Sequence, residues 1–531
     1  MVTLGVLISG VLIFIICVLL LFLLYTTWNF GIFKKMGIKG PPPNILVGNH
    51  KTVAEMGTVE ADMMWWREYG NVFGHFNGRS PMLVVADPEM LKEILVKQFQ
   101  NFTDRASPRG FGGDAEENVS SQQGNVWKNS RAILSPTFTA GKLRKMDPLI
   151  NEAGEALVQH VKRKTKENDE VDFADLFGRY TVEVIASTAF GLKINSQRDP
   201  DDKFLQMVSK LIFVKRTSPL LTLAFVIPIL ARPIAKFFNV SFLNEEASAF
   251  LGHLSHSGDL LLSVFVRRRA SCVVRCALTF EHFQLNVVIK EMTTRNTSKR
   301  EYIDFIQLMM EAHNDDPQKA EEKRGLSSKE IIANCLLFFF AGYETTAATL
   351  TYMAYLLALH PDVQRRLYDE IVMELGDEEP GYDNVGKLQY MDMCINETMR
   401  MFPVAPRTDR TCVQDTEVNG LKVPKGMKIA IPIWILHHSD KLWKNPEKFD
   451  PERFTPENKA KLNPYQFMPF GYGPRICIGK RLALTEIKVA MTKILREFEF
   501  TTCSKTNVPP KFRNGASLVQ PVDMWLRVIV R

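Results

Sequence analysis

The sequence predicts a mainly α-helical protein: one large helix-rich domain with small β-sheets, carried behind an N-terminal transmembrane helix. Three observations predict it. Residues 2–33 hold no charged side chain, and residues 4–24 are almost pure Leu, Ile, Val and Phe. From about residue 85 to 400, apolar residues recur at spacings of three and four, the helical period. Strand-like runs are short and confined to about 71–85 and 420–435, with no internal repeat and no alternation of strands and helices that would build a parallel sheet.

The 531 residues are 46% hydrophobic and 24% charged, an ordinary globular composition that excludes a disordered or collagen-like chain. Lys+Arg is 66 and Asp+Glu is 59, so 66 − 59 gives +7. That mild excess is not the concentrated basic stripe of a nucleic-acid binder, and it suits an acidic partner or an anionic membrane surface. The eight cysteines include no C-x-x-C pair, which argues against a disulfide scaffold or a zinc ribbon and for a reducing, cytosolic setting.

At about 1.5 Å per residue, residues 4–24 form roughly 30 Å of helix, enough to cross a bilayer. A cleaved signal peptide would need a basic start, a shorter apolar run and a small-residue cleavage site, and none is evident. Residues 1–33 are therefore expected to be a membrane anchor. Tyr25 and Trp28 stand where interfacial aromatics belong, and Lys34, Lys35 and Lys39 follow, which places residues 34–531 on the cytosolic side. Pro41, Pro42 and Pro43 then supply a stiff spacer. Asn-x-Ser/Thr sequons begin at Asn101, Asn118, Asn239, Asn296 and Asn396, the last within an expected core helix, which fits an unglycosylated cytosolic domain. Two further apolar stretches are too short to span: 219–231 reads as a loop dipping into the bilayer interface, and 331–343 as a buried core helix.

That core helix has a clear start. Ser327-Ser-Lys-Glu330 has the capping-box form, and no proline interrupts the pattern before Pro361. A helix of ~33 residues, about 50 Å, is expected. Gly342 falls in its middle, where glycine costs ~1 kcal/mol relative to Ala and implies close approach or local distortion. Beside it stands a polar cluster, Glu344-Thr345-Thr346.

A Gly-, Pro- and aromatic-rich stretch at 459–480 precedes another helical pattern at 479–499. It contains Phe470-Gly-Tyr-Gly-Pro-Arg-Ile-Cys-Ile-Gly479. A phosphate loop does not fit, because five residues rather than four separate Gly473 from Gly479 and Arg481 stands where Ser or Thr would hold Mg²⁺. Cys477 sits just before a helix N-terminus among Arg475, Lys480 and Arg481, surroundings that favour a thiolate. Loop amides aimed at the sulfur would hold a metal-bound thiolate and tune its potential.

On the five positions Phe470, Gly473, Arg475, Cys477 and Gly479, the chain resembles the cytochrome P-450 haem-thiolate monooxygenases. The resemblance implies the cytochrome P-450 fold, with haem b as cofactor and Cys477 as the thiolate ligand of its iron. Glu397-Thr-Met-Arg400 matches the family's E-x-x-R helix, and Pro451-Glu-Arg-Phe454 implies that Arg453 completes a structural Glu/Arg/Arg core. Ala341-Gly-Tyr-Glu-Thr-Thr346 matches the oxygen-activation motif, and Trp127-Lys-Asn-Ser-Arg131 matches the W-x-x-x-R pair that binds a haem propionate. Arg475 is implied in that role too, with Arg105 and Arg407 as further propionate contacts and Phe470 beside the cofactor. The likeness runs from about residue 30 to 531. Residues 127–143, 341–370 and 470–491 look closest to the animal microsomal branch that metabolises drugs and steroids. Residues 252–282, with Arg267, Arg268, Arg269, Cys272 and Cys276, have no counterpart in the family pattern and read as an atypical insertion or a mis-spliced segment.

The implied reaction inserts one atom of O2 into a lipophilic substrate (a xenobiotic, steroid or fatty acid) and reduces the other to water. Electrons are expected from NADPH through a separate flavoprotein, NADPH-cytochrome reductase, with cytochrome b5 as a second candidate donor. Lys128, Lys142, Arg144, Lys145, Lys480 and Lys488 are candidates for its docking face. Thr345 and Glu344 are the expected catalytic pair, Thr345 holding a water and Glu344 relaying protons, while Gly342 leaves room over the haem. The alternative for Thr345 is back-bonding to its own helix. Phe340 and Ala341 are the expected pocket walls, residues 205–240 a roof, and the endoplasmic reticulum membrane the location. Two other readings stand beside this one: a haem-thiolate isomerase, whose relatives often lose the acid–alcohol pair present here, and a non-catalytic membrane haem or sterol binder.

Overall fold

A computed structural model describes residues 2–106, 117–191, 193–199, 325–513 and 518–531, with Phe305, Leu308 and Met309. The expected roof at 205–240, the interfacial loop at 219–231, the atypical segment at 252–282 and the sequons at Asn239 and Asn296 lie outside the described residues.

The chain begins with helix α1, Val2–Thr27, whose stretch Ile8–Thr27 is long and apolar enough to cross a membrane; residues 8–21 are all exposed, while Thr26 near its end is buried. Beyond it the described residues group into two compact units, the first from residues 2–106 and 407–435, the second from 117–199, 325–406 and 436–531.

The first unit is built on a four-stranded sheet. Strands β1, Val72–Asn77, and β2, Ser80–Val85, form a hairpin. β2 runs parallel to Lys428–Ile431, which pairs antiparallel with Thr408–Thr411. The hairpin fills the strand-like run at 71–85; the run at 420–435 supplies Leu421–Val423 and Lys428–Ile431. The segment after α1 is folded onto this sheet. Phe33 is buried with its ring over Gly74, where an added Cβ would meet the ring at 2.5 Å. The proline run is tied down as well: Asn49 Nδ2 donates to the Pro42 carbonyl (3.0 Å) while Asn49 Oδ1 accepts from the Phe76 amide (2.8 Å).

The second unit contains α2 (Gly124–Leu134), α3 (Asp147–Glu167), α4 (Phe173–Phe190), α5 (Ser328–Leu359), α6 (Pro361–Leu375), α7 (Gln389–Met401) and α8 (Lys480–Glu497). A three-stranded sheet, Glu170–Asp172, Trp525–Val530 and Phe498–Thr502, flanks them. The expected core helix is α5, 32 residues long. Its capping box is formed on both sides: the Glu330 amide donates to Ser327 Oγ (3.3 Å), and Glu330 Oε2 accepts from the Ser327 amide (2.9 Å). Helix α4 crosses α5 closely. Gly178 faces Tyr343, and Thr181 Oγ1 donates to the Tyr343 carbonyl at 3.0 Å. Asn396 lies within α7, as the sequence implied.

The capping box gives a direct test. Ser327→Ala removes the acceptor for the Glu330 amide and should lower stability by about 1 kcal/mol. A shift of the denaturant midpoint without a change of slope would register it.

Candidate functional site

The loop between Met468 and α8 owes its shape to two glycines and two hydrogen bonds. Gly471 (φ +71°) and Gly473 (φ +76°) adopt left-handed conformations that disfavour any side chain. The Ile476 amide donates to the Gly473 carbonyl (3.0 Å) and the Cys477 amide to the Phe470 carbonyl (2.9 Å). Cys477 is left exposed at the turn before α8, and Phe470 is half-buried with the Lys480 ammonium 5.6 Å from its ring centre.

Helix α2 meets this loop. Trp127 and Arg131 are four residues apart and share a face. Arg131 Nη2 donates to the Ile476 carbonyl, adjacent to Cys477, at 2.9 Å. Arg475 is buried with its guanidinium 4.0 Å over the Trp127 ring, and it donates to the carbonyls of Gln122 (2.7 Å) and Val119 (3.4 Å). The structure thus brings Phe470, Cys477, Arg475, Trp127 and Arg131 together, although 339 residues of sequence separate Arg131 from Phe470 (470 − 131). An exposed sulfur with two guanidinium groups beside it fits a thiolate-bound cofactor that carries carboxylates.

Helix α5 shows the complementary feature. Residues 331–335, Phe338 and Phe339 are buried, and every residue from 346 to 358 is buried, but Phe340, Gly342, Tyr343, Glu344 and Thr345 are only partly covered and Ala341 is exposed. A six-residue window opens in the middle of a core helix. Phe338 belongs instead to a buried aromatic cluster with Phe138 and Phe305, at centroid distances of 5.5 and 5.7 Å. Thr345 Oγ1 donates to the Ala341 carbonyl at 2.6 Å, so its proton is committed to its own helix and its lone pairs remain as acceptors. Burial pushes the Glu344 carboxyl up to about 7, opposed by the Gln520 side chain and the Arg513 charge. Arg513 Nη1 donates to Gln520 Oε1 at 3.1 Å; an arginine can only donate, so the amide's NH2 end is turned away from it. Gln520 and Arg513 were invisible in the sequence, lying some 170 residues beyond Glu344 (513 − 344 = 169) with no motif to mark them.

The structure corrects the role expected of Gly342. A Cβ there would meet Ile185 Cδ1 at 2.8 Å, so the missing side chain makes room for α4. Lys488 leaves the basic docking set for a similar reason. It is buried, paired with Asp392 (2.8 Å) and donating to the Val385 carbonyl (3.0 Å).

Behind the cysteine loop lies a buried lock. Glu397 and Arg400 are fully buried on α7 and pair through two bonds, Nε to Oε2 (2.8 Å) and Nη2 to Oε1 (2.9 Å). Arg453 Nε (3.2 Å) and the Asp450 amide (2.9 Å) also donate to Oε1. Burial raises the Glu397 carboxyl while these donors pull it down. Arg400 Nη1 donates to the carbonyl of His437 (2.9 Å), a residue that no motif marks. The Met468 amide donates to His437 Nε2 (3.1 Å), which leaves the proton on Nδ1, 3.2 Å from the Met399 carbonyl. Burial, with His438 and Arg400 nearby, pushes this imidazole well below the ordinary histidine range, so it stays neutral. The lock therefore reaches the cysteine loop through one histidine.

Arg105 and Arg407 fall in the first unit. Arg407 is engaged with buried Asp62, Nε donating to Oδ2 at 2.9 Å and Nη2 to Oδ1. Arg105 stands beside Arg410, a residue absent from the sequence expectations. Arg410 is buried, its Nε has no partner in the structure, and burial with the Arg105 charge pushes it down to about 9. A buried guanidinium pressed against a second one suits an anionic group.

The Cytochrome P450 family model matches residues 38–526. The chain is 37% identical over 512 residues to Cytochrome P450 3A11 of Mus musculus, covering 96% of this chain and 94% of that one. It is 38% identical over 524 residues to Cytochrome P450 3A2 of Rattus norvegicus (97% and 96% covered) and 38% over 511 residues to Cytochrome P450 3A7 of Homo sapiens (96% and 94%).

The lock separates two variants. Glu397→Ala strands a buried arginine and should cost roughly 3–5 kcal/mol, the larger loss of the two. His437→Phe keeps the ring stack on Phe467 but leaves the Met468 amide unpaired, at about 1–3 kcal/mol. Thermal unfolding of the two variants side by side checks the order.

Proposed function

The chain belongs to the cytochrome P450 family, whose members are haem-thiolate monooxygenases using O2 and electrons from NADPH delivered by a reductase, and on that premise we propose the residues that do this work. Cys477 is the thiolate ligand of the haem iron. Trp127, Arg131 and Arg475 hold a propionate, with Arg105 as a further contact; Arg407, expected in the same role, is engaged by Asp62 instead. Glu344 and Thr345 are the proton-handling pair, and Phe340 and Ala341 wall the substrate space. The observation that carries this reading is the open window at 340–345 in a largely buried helix, matched by an exposed cysteine on a loop locked from behind.

When bound, haem supplies the redox chemistry that activates O2 and transfers one atom, and an electron-rich thiolate ligand favours cleavage of the O–O bond. The chain's own residues do the rest. The basic surroundings of Cys477 and the N-terminus of α8 favour the thiolate. Thr345, its proton given to Ala341, accepts from a water and holds that proton donor in the window. Glu344, at about 7, can take a proton from solvent and pass it on at neutral pH. Phe340 and Ala341 present apolar surface that excludes bulk water and suits lipophilic substrates, the class we assign as xenobiotics, steroids or fatty acids.

No dinucleotide fingerprint occurs in the sequence, so the electrons come from a partner, which we identify as NADPH-cytochrome reductase, with cytochrome b5 as auxiliary donor. Lys128, Lys142, Lys145 and Lys480 remain for its docking face; Arg144 is held by Asp383 at 2.7 Å. Helix α1 serves as membrane anchor, and the endoplasmic reticulum is the proposed location.

Cys477→Ala should abolish the red-shifted Soret band of the reduced carbonyl complex; persistence of that band in the variant would falsify the ligand assignment. Reconstitution with reductase and a substrate panel should yield hydroxylated product. Peroxide rearrangement without NADPH would indicate an isomerase, and haem spectra without turnover a binder. Thr345→Ala should consume NADPH without matching product.

Glu344 predicts a pH dependence. Its folded value lies above the ordinary 4.5, so the stability it contributes is full below that value and is lost as pH rises through about 7. Glu344→Gln should flatten the stability profile over this window and remove the corresponding limb from the pH profile of product formation.

A further inference from the structure

We propose that Gln122 is a positioning residue: its side chain ties the start of α5 to the segment that receives Arg475, and so fixes the spacing between the two walls of the haem site, the window of α5 and the cysteine loop. This rests on the reading of Cys477 and of the window given above. Residues 117–123 lead into α2 and bond to both walls. On one side they dock on the first two turns of α5. Gln122 Nε2 donates to Glu330 Oε1 (3.0 Å), and the Val119 amide donates to Asn334 Oδ1 (2.9 Å). Asn334 is itself held, its Nδ2 donating to the Glu330 carbonyl (2.7 Å). On the other side, the carbonyls that receive the Arg475 guanidinium, two residues before Cys477, are those of Val119 and Gln122. Val119, Gln122, Glu330 and Arg475 are at most 5% exposed, and Asn334 is wholly inside, so every one of these bonds is shielded from water.

The segment cannot stretch. Asn118 Oδ1 accepts from the amides of Ser120 (2.8 Å) and Ser121 (3.1 Å), and the Gln122 amide donates to the Asn118 carbonyl (3.0 Å), which closes residues 118–122 into a turn. Gln122 itself is kept at a cost. A side-chain amide has two hydrogens to donate. Both are spent, one on Glu330 and one on the Glu117 carbonyl (2.9 Å). These two acceptors fix the orientation of the amide and leave its Oε1 buried with no partner in the structure. An unmade buried acceptor costs about 1–3 kcal/mol, a loss that an apolar residue of the same length would avoid. What offsets it is the join that the donor end makes. Glu330 serves two structures at once: Oε2 closes the capping box with Ser327, and Oε1 accepts from Gln122. The first turn of α5 is thereby fastened to the turn whose carbonyls hold Arg475, and a displacement of either wall is carried to the other.

The test uses the full chain with haem bound. Gln122→Met keeps the length of the side chain and removes both donors. Gln122→Lys keeps donors for Glu330 and Glu117. Ser327→Ala loosens the α5 cap and leaves the Gln122 bond in place. Two quantities are read: the red-shifted Soret band of the reduced carbonyl complex, and the rate at which haem passes to excess apomyoglobin. All variants should keep the band. Gln122→Met should release haem about tenfold faster, while Gln122→Lys and Ser327→Ala stay within about twofold of the unaltered chain. Release from Gln122→Met at the unaltered rate overturns the proposal. So does equal acceleration in Ser327→Ala, which would reduce the effect to helix stability, or in Gln122→Lys, which would show that the donors are not its cause. Should Gln122→Met not fold, Gln122→Asn, one methylene short of Glu330, takes its place with the same expected rate. An unaltered chain that lacks the band overturns the Cys477 reading and this proposal with it.

Discussion

A thiolate can serve as a fixed metal ligand only if the loop that carries it cannot relax, and in this chain that restraint originates at one carboxylate. Glu397 is wholly inside the protein and accepts from Arg400, Arg453 and the Asp450 amide. A buried ion pair of this kind adds little net stability, because desolvation offsets the attraction. What it does supply is geometry. Arg400 has further donors directed to the His437 and Lys448 carbonyls, at 2.9 and 3.3 Å, so α7 is fastened to the two segments that lead toward Met468. The neutral His437 ring then accepts the Met468 amide. Two residues later the loop reaches Phe470, whose carbonyl fixes the Cys477 amide. The cysteine is exposed to chemistry while its backbone is held through this series of bonds.

Helix α5 solves a different conflict. A helix that crosses a domain is buried, yet an active site needs polar, accessible groups. Here the longest interruption of burial among the described residues covers residues 340–345, and the helix is steadied beside it. Gly342 and Gly178 bring α4 close enough for Thr181 to bond the Tyr343 carbonyl. Glu344 therefore sits at a position where desolvation is strong but incomplete, and where Gln520 and Arg513 oppose the rise it causes. A carboxyl poised near neutrality results from this balance, and either influence alone would move it away.

The sequence made legible what depends on local spacing. The apolar helix α1 followed from an uninterrupted apolar run, the start of α5 from the S-x-x-E form, and the loop around Cys477 from its glycine positions. The grouping of Trp127, Arg131 and Arg475 with Cys477 could be anticipated only through resemblance, because nothing local ties residue 131 to residue 476. What stayed hidden depends on neighbours supplied by distant chain. Gly342 looked like clearance for a cofactor until Ile185 was found against it. Lys488 looked like a surface cation until Asp392 and Val385 were found around it. His437, Gln520, Arg513 and Arg410 carry no motif, and each acquires its role from a partner far away in sequence.

Arg410 shows most clearly how a fold creates a requirement that a sequence does not state. An arginine buried on an edge strand of the sheet normally finds a carboxylate, because an unpaired internal charge is among the costliest features a protein can keep. Asp62 is buried in the same unit, but it is already taken by Arg407. Arg410 has the like charge of Arg105 against it, partly offset by the Asp409 charge, and its Nη1 donates to the Asp409 carbonyl at 2.6 Å. An anion beside it would relieve the repulsion. A carboxylate or another small anion has the charge and the acceptor oxygens to do so.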